Sequence, residues 1–180
     1  MMRLFFGIGI PEQRGIVTGW LNFLNLPGKA RMVQPANYHI TLLFLGESDS
    51  NQFDKAIKAG KAAARIHSPF PISARGWGAF PSPNRPRVLF VALDDSCGML
   101  KSLNHTLAQS LALGIDAKNF HPHITVARLN QMEPLAGLSE PPQFSLVIAG
   151  FTLFSSHLTP RGPIYREEAV FPLEHLAKSE

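Results

Sequence analysis

The sequence predicts one domain of mixed strands and helices, built from two diverged copies of a strand–helix–strand–(helix)–strand unit. Three observations carry that reading. The chain has 180 residues, enough for one sizeable core or for two small lobes sharing one. Its apolar fraction of 45% and charged fraction of 17% belong to a folded chain rather than a disordered one. The tripeptide His-Ile-Thr stands twice inside strand-like apolar runs, in "YHITLLF" from Tyr38 and "PHITVAR" from Pro122, with the histidines 84 positions apart. At the same offset Arg3-Leu4-Phe5-Phe6 falls on Arg87-Val88-Leu89-Phe90, and the helical stretches between strand and motif overlay. Chance supplies two short triplets easily, but not at matched places in two matched halves.

The elements follow in order. Leu4–Ile10 reads as a buried strand, and Pro11 suits the first turn of a helix over Glu12–Leu26. "LPGKARMV" is loop with a short strand, leading into a strand at His39–Leu45. Ser50 is the expected cap of a second helix whose apolar positions include Phe53, Ile57, Ala64 and Ile66. Phe70–Phe80 is the next strand, followed by the turn-rich "PSPNRPR", a strand at Val88–Leu93 and an amphipathic helix over Met99–Leu113 ended by Gly114. His123–Ala127, Phe144–Phe154 and Tyr165–Phe171 complete the strands, the last two joined by "TPRGP". Gly78 and Gly150 take similar places in the two copies.

Composition narrows the function classes. With 17 Lys and Arg against 13 Asp and Glu the chain is mildly basic, which suits an anionic ligand but does not show nucleic-acid binding. One cysteine, Cys97, rules out an internal disulfide and a cysteine-based zinc cluster, and fits a reducing cytoplasm. The apolar start is too short to span a membrane and lacks a small-residue cleavage site, so a first strand is expected rather than a signal peptide. No membrane association and no obligate protein partner are expected, and the expected location is cytoplasmic.

On a strand, residues two apart share a face. His39 therefore shares one with Thr41, and His123 with Thr125, while Ile40 and Ile124 pack on the other side. If the motif strands meet near a pseudo-twofold axis, two imidazoles and two hydroxyls converge on one cleft. Two histidines can divide acid and base work, each proton transfer contributing about 10²–10⁴-fold to rate. Threonine hydroxyls and a cation can hold the non-bridging oxygens of a phosphate. Arg128 is the candidate cation, although it stands five residues after His123 and so has the wrong parity for a regular strand. Its counterpart at the 84-residue offset is Phe44, a candidate base-stacking surface. That difference suggests a site specialised on one side for phosphate charge and on the other for an apolar contact.

The paired motifs "HITL" at His39–Leu42 and "HITV" at His123–Val126 resemble those of the 2H phosphoesterase superfamily. "RLFFGIGIP", "NYHITLLFLGE", "FHPHITVAR" and "FTLFSSHLTPRGPIY" are similar, in order and spacing, to the LigT-like RNA 2′,3′-cyclic phosphodiesterases, once called 2′-5′ RNA ligases. The resemblance spans nearly the whole chain; Val126 in place of the more usual leucine is a conservative departure. It implies an α+β, bilobal duplicated fold, with residues 1–180 forming a single domain of two pseudo-twofold-related lobes. Two antiparallel sheets would line a central concave cleft, with helices packed outside. It also implies metal-independent hydrolysis, without a cofactor, of a 2′,3′-cyclic phosphate on an RNA end or a small nucleotide to a 2′-phosphate. By position, His39 is the proton donor to the 3′ oxygen and His123 the proton acceptor from water. Thr41, Thr125 and Arg128 bind phosphate. RNA ligation at the same site, and a non-catalytic nucleotide-binding module, are the rival readings; intact histidines in both motifs weigh against the second.

Other features have plainer readings. His121 and His123 form His-x-His, but no third metal ligand stands at a telling spacing, so His121 is expected to support the site or lie on the surface. His67, His105, His157 and His175 lack duplicated partners and are assigned to surface or packing. Phe5 and Phe6 are assigned to the core. The Arg85/Arg87 and Arg161/Arg166 loops could steer RNA or simply be solvated.

Overall fold

The computed structural model describes residues 1–26, 30–114, 120–130, 133–160 and 162–174; Arg161 and His175 lie outside them. The chain runs through β1 (Met2–Gly9), α1 (Arg14–Asn22), β2 (Ala30–Met32), a 3₁₀ turn (Pro35–Asn37), β3 (His39–Ser48), α2 (Ser50–Ile66) and β4 (Phe70–Phe80). It continues through β5 (Val88–Asp94), α3 (Met99–Ser110), β6 (His123–Leu129), β7 (Phe144–Ile148), β8 (Gly150–Thr159) and β9 (Gly162–Pro172). The strands form an antiparallel sheet in the order β7-β4-β5-β6-β3-β1-β8-β9, with β2 paired to the end of β6, and the sheet curls into a half-barrel.

The α+β character and the two strand sets flanking a cleft match the expectation, and the way the sets join positions the site. Each set of four strands is fully laddered within itself, but β3 and β6 meet only at Ile40 and Ile124. Both isoleucines are wholly buried, each burial being worth about 1.5–3 kcal/mol. The two motif strands are thus pinned at their central isoleucines. The strand order is mirrored about this seam: β3 and β6 beside it, then β1 and β5, both pairs matched by the 84-residue offset, then β8 and β4, whose matched glycines Gly150 and Gly78 stand at a shorter spacing.

The helices are held by small side chains and caps. In α2, Ala56, Ala59, Gly60, Ala63 and Ala64 are buried, three or four residues apart and so on one stripe. This lets the helix lie close on β9: a Cβ on Gly60 would stand 2.5 Å from the Phe171 ring. The cap of α2 is Asp49, not Ser50. Its carboxylate accepts from the Gln52 amide at 2.8 Å and the Gln52 side chain accepts from the Asp49 amide at 2.9 Å, a reciprocal box that a serine one residue later cannot form. Helices α1 and α3 are shorter than their apolar text because residues 11–13 and 111–112 form turns at their ends.

One expected strand is two. Phe144–Phe154 breaks at Ala149: β7 pairs with β4, whereas β8 pairs with β1 and β9 on the far side of the seam. The burial pattern shows why. β7 alternates buried and exposed, as a strand with one covered face does, while Phe151–Phe154 is buried continuously, as in an interior strand. Ala149 lets the chain cross with its carbonyl accepting from the Leu173 amide at 2.9 Å.

Candidate active site

The motif strands set the geometry. Around the Ile40–Ile124 pair the antiparallel register sets His39 across from Thr125 and Thr41 across from His123, all four on the face opposite the buried isoleucines. Past the threonines both strands slip by one residue. Against β1, Thr41 pairs with Gly7 and Leu43 with Phe6, skipping Leu42. Against β5, Thr125 pairs with Phe90 and Ala127 with Leu89, skipping Val126. These are β-bulges at the fourth position of each motif, and an extra residue in one strand restores the face of the residues beyond it. Arg128 and Phe44, five residues after the histidines, are thereby turned to the face that carries the histidines.

His39, Thr41, Thr125, Arg128 and Phe44 accordingly line one cleft of about 520 Å³. His123 stands just beyond its walls, near enough that its charge disfavours protonation of His39. Phe44 is half exposed, with the Arg3 guanidinium 4.9 Å from its ring centre, within cation–π range.

Both histidines have the same backbone arrangement. His39 Nδ1 lies 2.7 Å from the Asn37 carbonyl and His123 Nδ1 lies 2.6 Å from the His121 carbonyl. A carbonyl only accepts, so Nδ1–H donates in each and Nε2 is left as the reactive nitrogen, a tautomer assigned from this geometry. The Thr41 hydroxyl lies 3.0 Å from His39 Nε2 and donates to it in the neutral ring. His121 therefore supports the site through its backbone, its own side chain being exposed.

Aromatic walls hold each imidazole. His39 packs 5.0 Å from Phe5 and edge-on to Tyr165 at 5.1 Å; His123 packs 5.1 Å from Phe80 and 5.0 Å from Phe90. Phe5 is buried as expected and forms one wall of the His39 box. Burial is the main cause that lowers both histidine pKa values; the carbonyl bonds raise them, and neighbouring imidazole charge lowers them again. Tyr165 is pushed up by burial and drawn back by the charges of Arg128 and Arg3.

Sequence reading did not single out Tyr165, Phe80, Phe90, Arg3 or Arg31. Phe90 and Arg3 had a signal in the 84-residue offset, matched to Phe6 and Arg87, and Arg3 and Tyr165 stand at the ends of "RLFFGIGIP" and "FTLFSSHLTPRGPIY"; Phe80 and Arg31 come from segments with no motif. Arg85 and Arg87 are exposed, and Arg166 pairs with Glu168 at 3.9 Å. His105 and His157 are exposed, whereas His67 is buried with Nε2 3.0 Å from the Thr106 hydroxyl. Among the described residues no three His, Cys, Asp or Glu side chains cluster so as to hold a metal ion, and no helix is long and apolar enough to cross a membrane.

Residues 8–90 and 99–165 match the LigT-like phosphoesterase family. The RNA 2′,3′-cyclic phosphodiesterase of Archaeoglobus fulgidus is 32% identical over 177 residues, covering 94% of this chain and 99% of that protein. The enzyme of the same name from Bacillus subtilis is 31% identical over 180 residues, covering 96% of this chain and 98% of the relative. The crystal structure of E. coli LigT complexed with 3′-AMP superposes with a TM-score of 0.80 at 27% identity, covering 97% of this chain and 99% of that one.

Proposed function

The chain belongs to the LigT-like phosphoesterase family, and on that footing we propose that it is an RNA 2′,3′-cyclic phosphodiesterase. It acts on the 2′,3′-cyclic phosphate of an RNA end or a small nucleotide, in the cytoplasm, and leaves a 2′-phosphate. The observation that carries this reading is the crossing at Ile40 and Ile124, which brings two imidazoles, each with Nδ1 tied to a carbonyl and Nε2 turned to the reactive side, and two threonine hydroxyls onto one face. The two lobes derive from the duplication inferred from the 84-residue offset and make one domain with one site.

In the proposed reaction Thr41, Thr125 and Arg128 hold the non-bridging phosphate oxygens. His123 Nε2 takes a proton from water as the water oxygen bonds to phosphorus. The phosphorus–O3′ bond breaks, and His39 Nε2 gives its proton to that oxygen. Neither step needs a metal ion, since the histidines move both protons and the cation answers the phosphate charge.

The test is hydrolysis of 2′,3′-cyclic AMP and of a short RNA ending in a cyclic phosphate, with EDTA present and the product identified. Turnover to a 2′-phosphate should survive chelation and fall by about 10²–10⁴-fold in both His39→Ala and His123→Ala. A metal requirement, or indifference to both substitutions, would sink the proposal. Replacing the 3′ leaving oxygen by sulfur assigns the roles, because a thiolate leaves without a proton. His39→Ala should then recover and His123→Ala should not.

A further inference from the structure

We propose that Arg31 forms a second phosphate subsite, which takes the phosphodiester immediately preceding the cyclic end of an RNA strand. This rests on the phosphodiesterase reading and sharpens it: the favoured substrate is a strand end rather than a free cyclic nucleotide. The short strand β2 places Arg31 directly opposite Arg128 in its ladder with β6, and both arginines line the cleft. Residues directly opposite have Cβ atoms about 5 Å apart, and like charges there repel. Among the described residues no carboxylate lines the cleft to relieve them, and neither arginine is in an ion pair. Arg3 adds a third guanidinium to the same wall, over the Phe44 ring.

A cyclic phosphate carries one negative charge, which Arg128 with two threonine hydroxyls already meets. The Arg31 charge is in excess of what a mononucleotide needs. A second phosphate on the same strand removes the repulsion between Arg31 and Arg128, since each guanidinium then faces its own anion. Most protein–nucleic acid contacts of this kind go to phosphate and fix register without reading sequence. Strand-end preference is therefore expected for any base.

The experiment compares wild type, Arg31→Gln and Arg31→Lys on 2′,3′-cyclic AMP and on a trinucleotide ending in a 2′,3′-cyclic phosphate. Arg31 is exposed, so the variants should fold, and matching melting curves check it. Arg31→Gln should lower kcat/KM on the trinucleotide about tenfold, in the range of one charge-assisted contact. Its value on 2′,3′-cyclic AMP should stay within about twofold, since a mononucleotide has no upstream phosphate to lose. The dependence of log KM on log salt for the trinucleotide should flatten by about 0.7, as for one phosphate contact on a single strand. Arg31→Lys should retain most of the preference. Equal losses on both substrates, or no loss on either, would overturn the subsite. Binding of the trinucleotide 2′-phosphate against 2′-AMP reads the same preference without turnover. A wild-type protein that binds the two with the expected bias but hydrolyses neither would refute the catalytic reading and leave the subsite standing.

Discussion

At the scale of single residues, the two imidazoles are prepared alike and differ in their surroundings. A carbonyl two residues upstream fixes each ring's tautomer, and two aromatic rings hold its plane. Room for the rings comes from glycine. A Cβ on Gly7 would crowd the Phe5 ring that walls His39, at 3.2 Å, and the Ile40 carbonyl, at 3.0 Å, and one on Gly78 would collide with the Phe90 ring that walls His123. Burial lowers both pKa values below the ordinary histidine value of about 6.5, and a charge on either ring opposes a second. The proposed mechanism needs one ring neutral and one charged. The profile of kcat/KM against pH, which reports the free enzyme, should be a bell with its optimum on the acid side of about 6.5. A single rising limb, with activity kept above pH 8 or so, would mean that no histidine serves as the acid.

At the scale of elements, the bulges matter most, and each is held differently. The Val126 carbonyl accepts from the Val33 amide just past β2, at 2.9 Å. The Leu42 carbonyl accepts from the Asn104 side chain, reaching in from α3 at 2.7 Å. Asn104 is buried, and its own carbonyl oxygen has no hydrogen-bond partner among the described residues. It is therefore a buried polar group retained for one bond. Asn104→Leu should cost about 1–3 kcal/mol in chemical denaturation by leaving the Leu42 carbonyl unpaired. It should also lower kcat/KM, because the bulge sets where Phe44, beyond it, faces. Unchanged stability would show that the bond contributes nothing. The bulges had left a trace in the text: Leu42-Leu43 and Val126-Ala127 are consecutive apolar pairs where alternation calls for a polar residue. That slip answers the parity objection to Arg128. Asn104 left no such trace, since nothing local distinguishes an asparagine on an amphipathic helix that bonds a strand 62 residues away.

At the scale of the whole molecule, three enclosed histidines make stability depend on pH. His39, His67 and His123 all have pKa values lowered chiefly by burial. The unfolded chain takes up protons near pH 6.5 that the folded chain still refuses, so stability is full above about 6.5 and is lost as pH falls below it. Urea midpoints measured from about pH 8 to 5 should decline on the acid side, and His67→Gln should remove part of that decline. A flat series, or an unaltered slope in the variant, would contradict it. Most strands and all three helices were legible because hydrophobic period is a local signal, whereas the cap of α2 lay one residue before the serine expected. The crossing at Ala149 was not, since no turn residue stands between Ser145 and Gly150 and only Ser145 and Thr152 interrupt the apolar text; only the change from alternating to continuous burial marks it. That crossing, with the mirror order of the strands, has a further consequence. Under the proposed duplication the third strands have changed places: β4 of the first copy completes the sheet of the second, and β8 of the second completes that of the first. Two separate chains would have to trade these strands, as a domain-swapped homodimer does. Identical chains would also have to carry the same residue at both positions that now hold Phe44 and Arg128. Joining the copies on one polypeptide, through the turn at 81–87, is what lets those positions diverge.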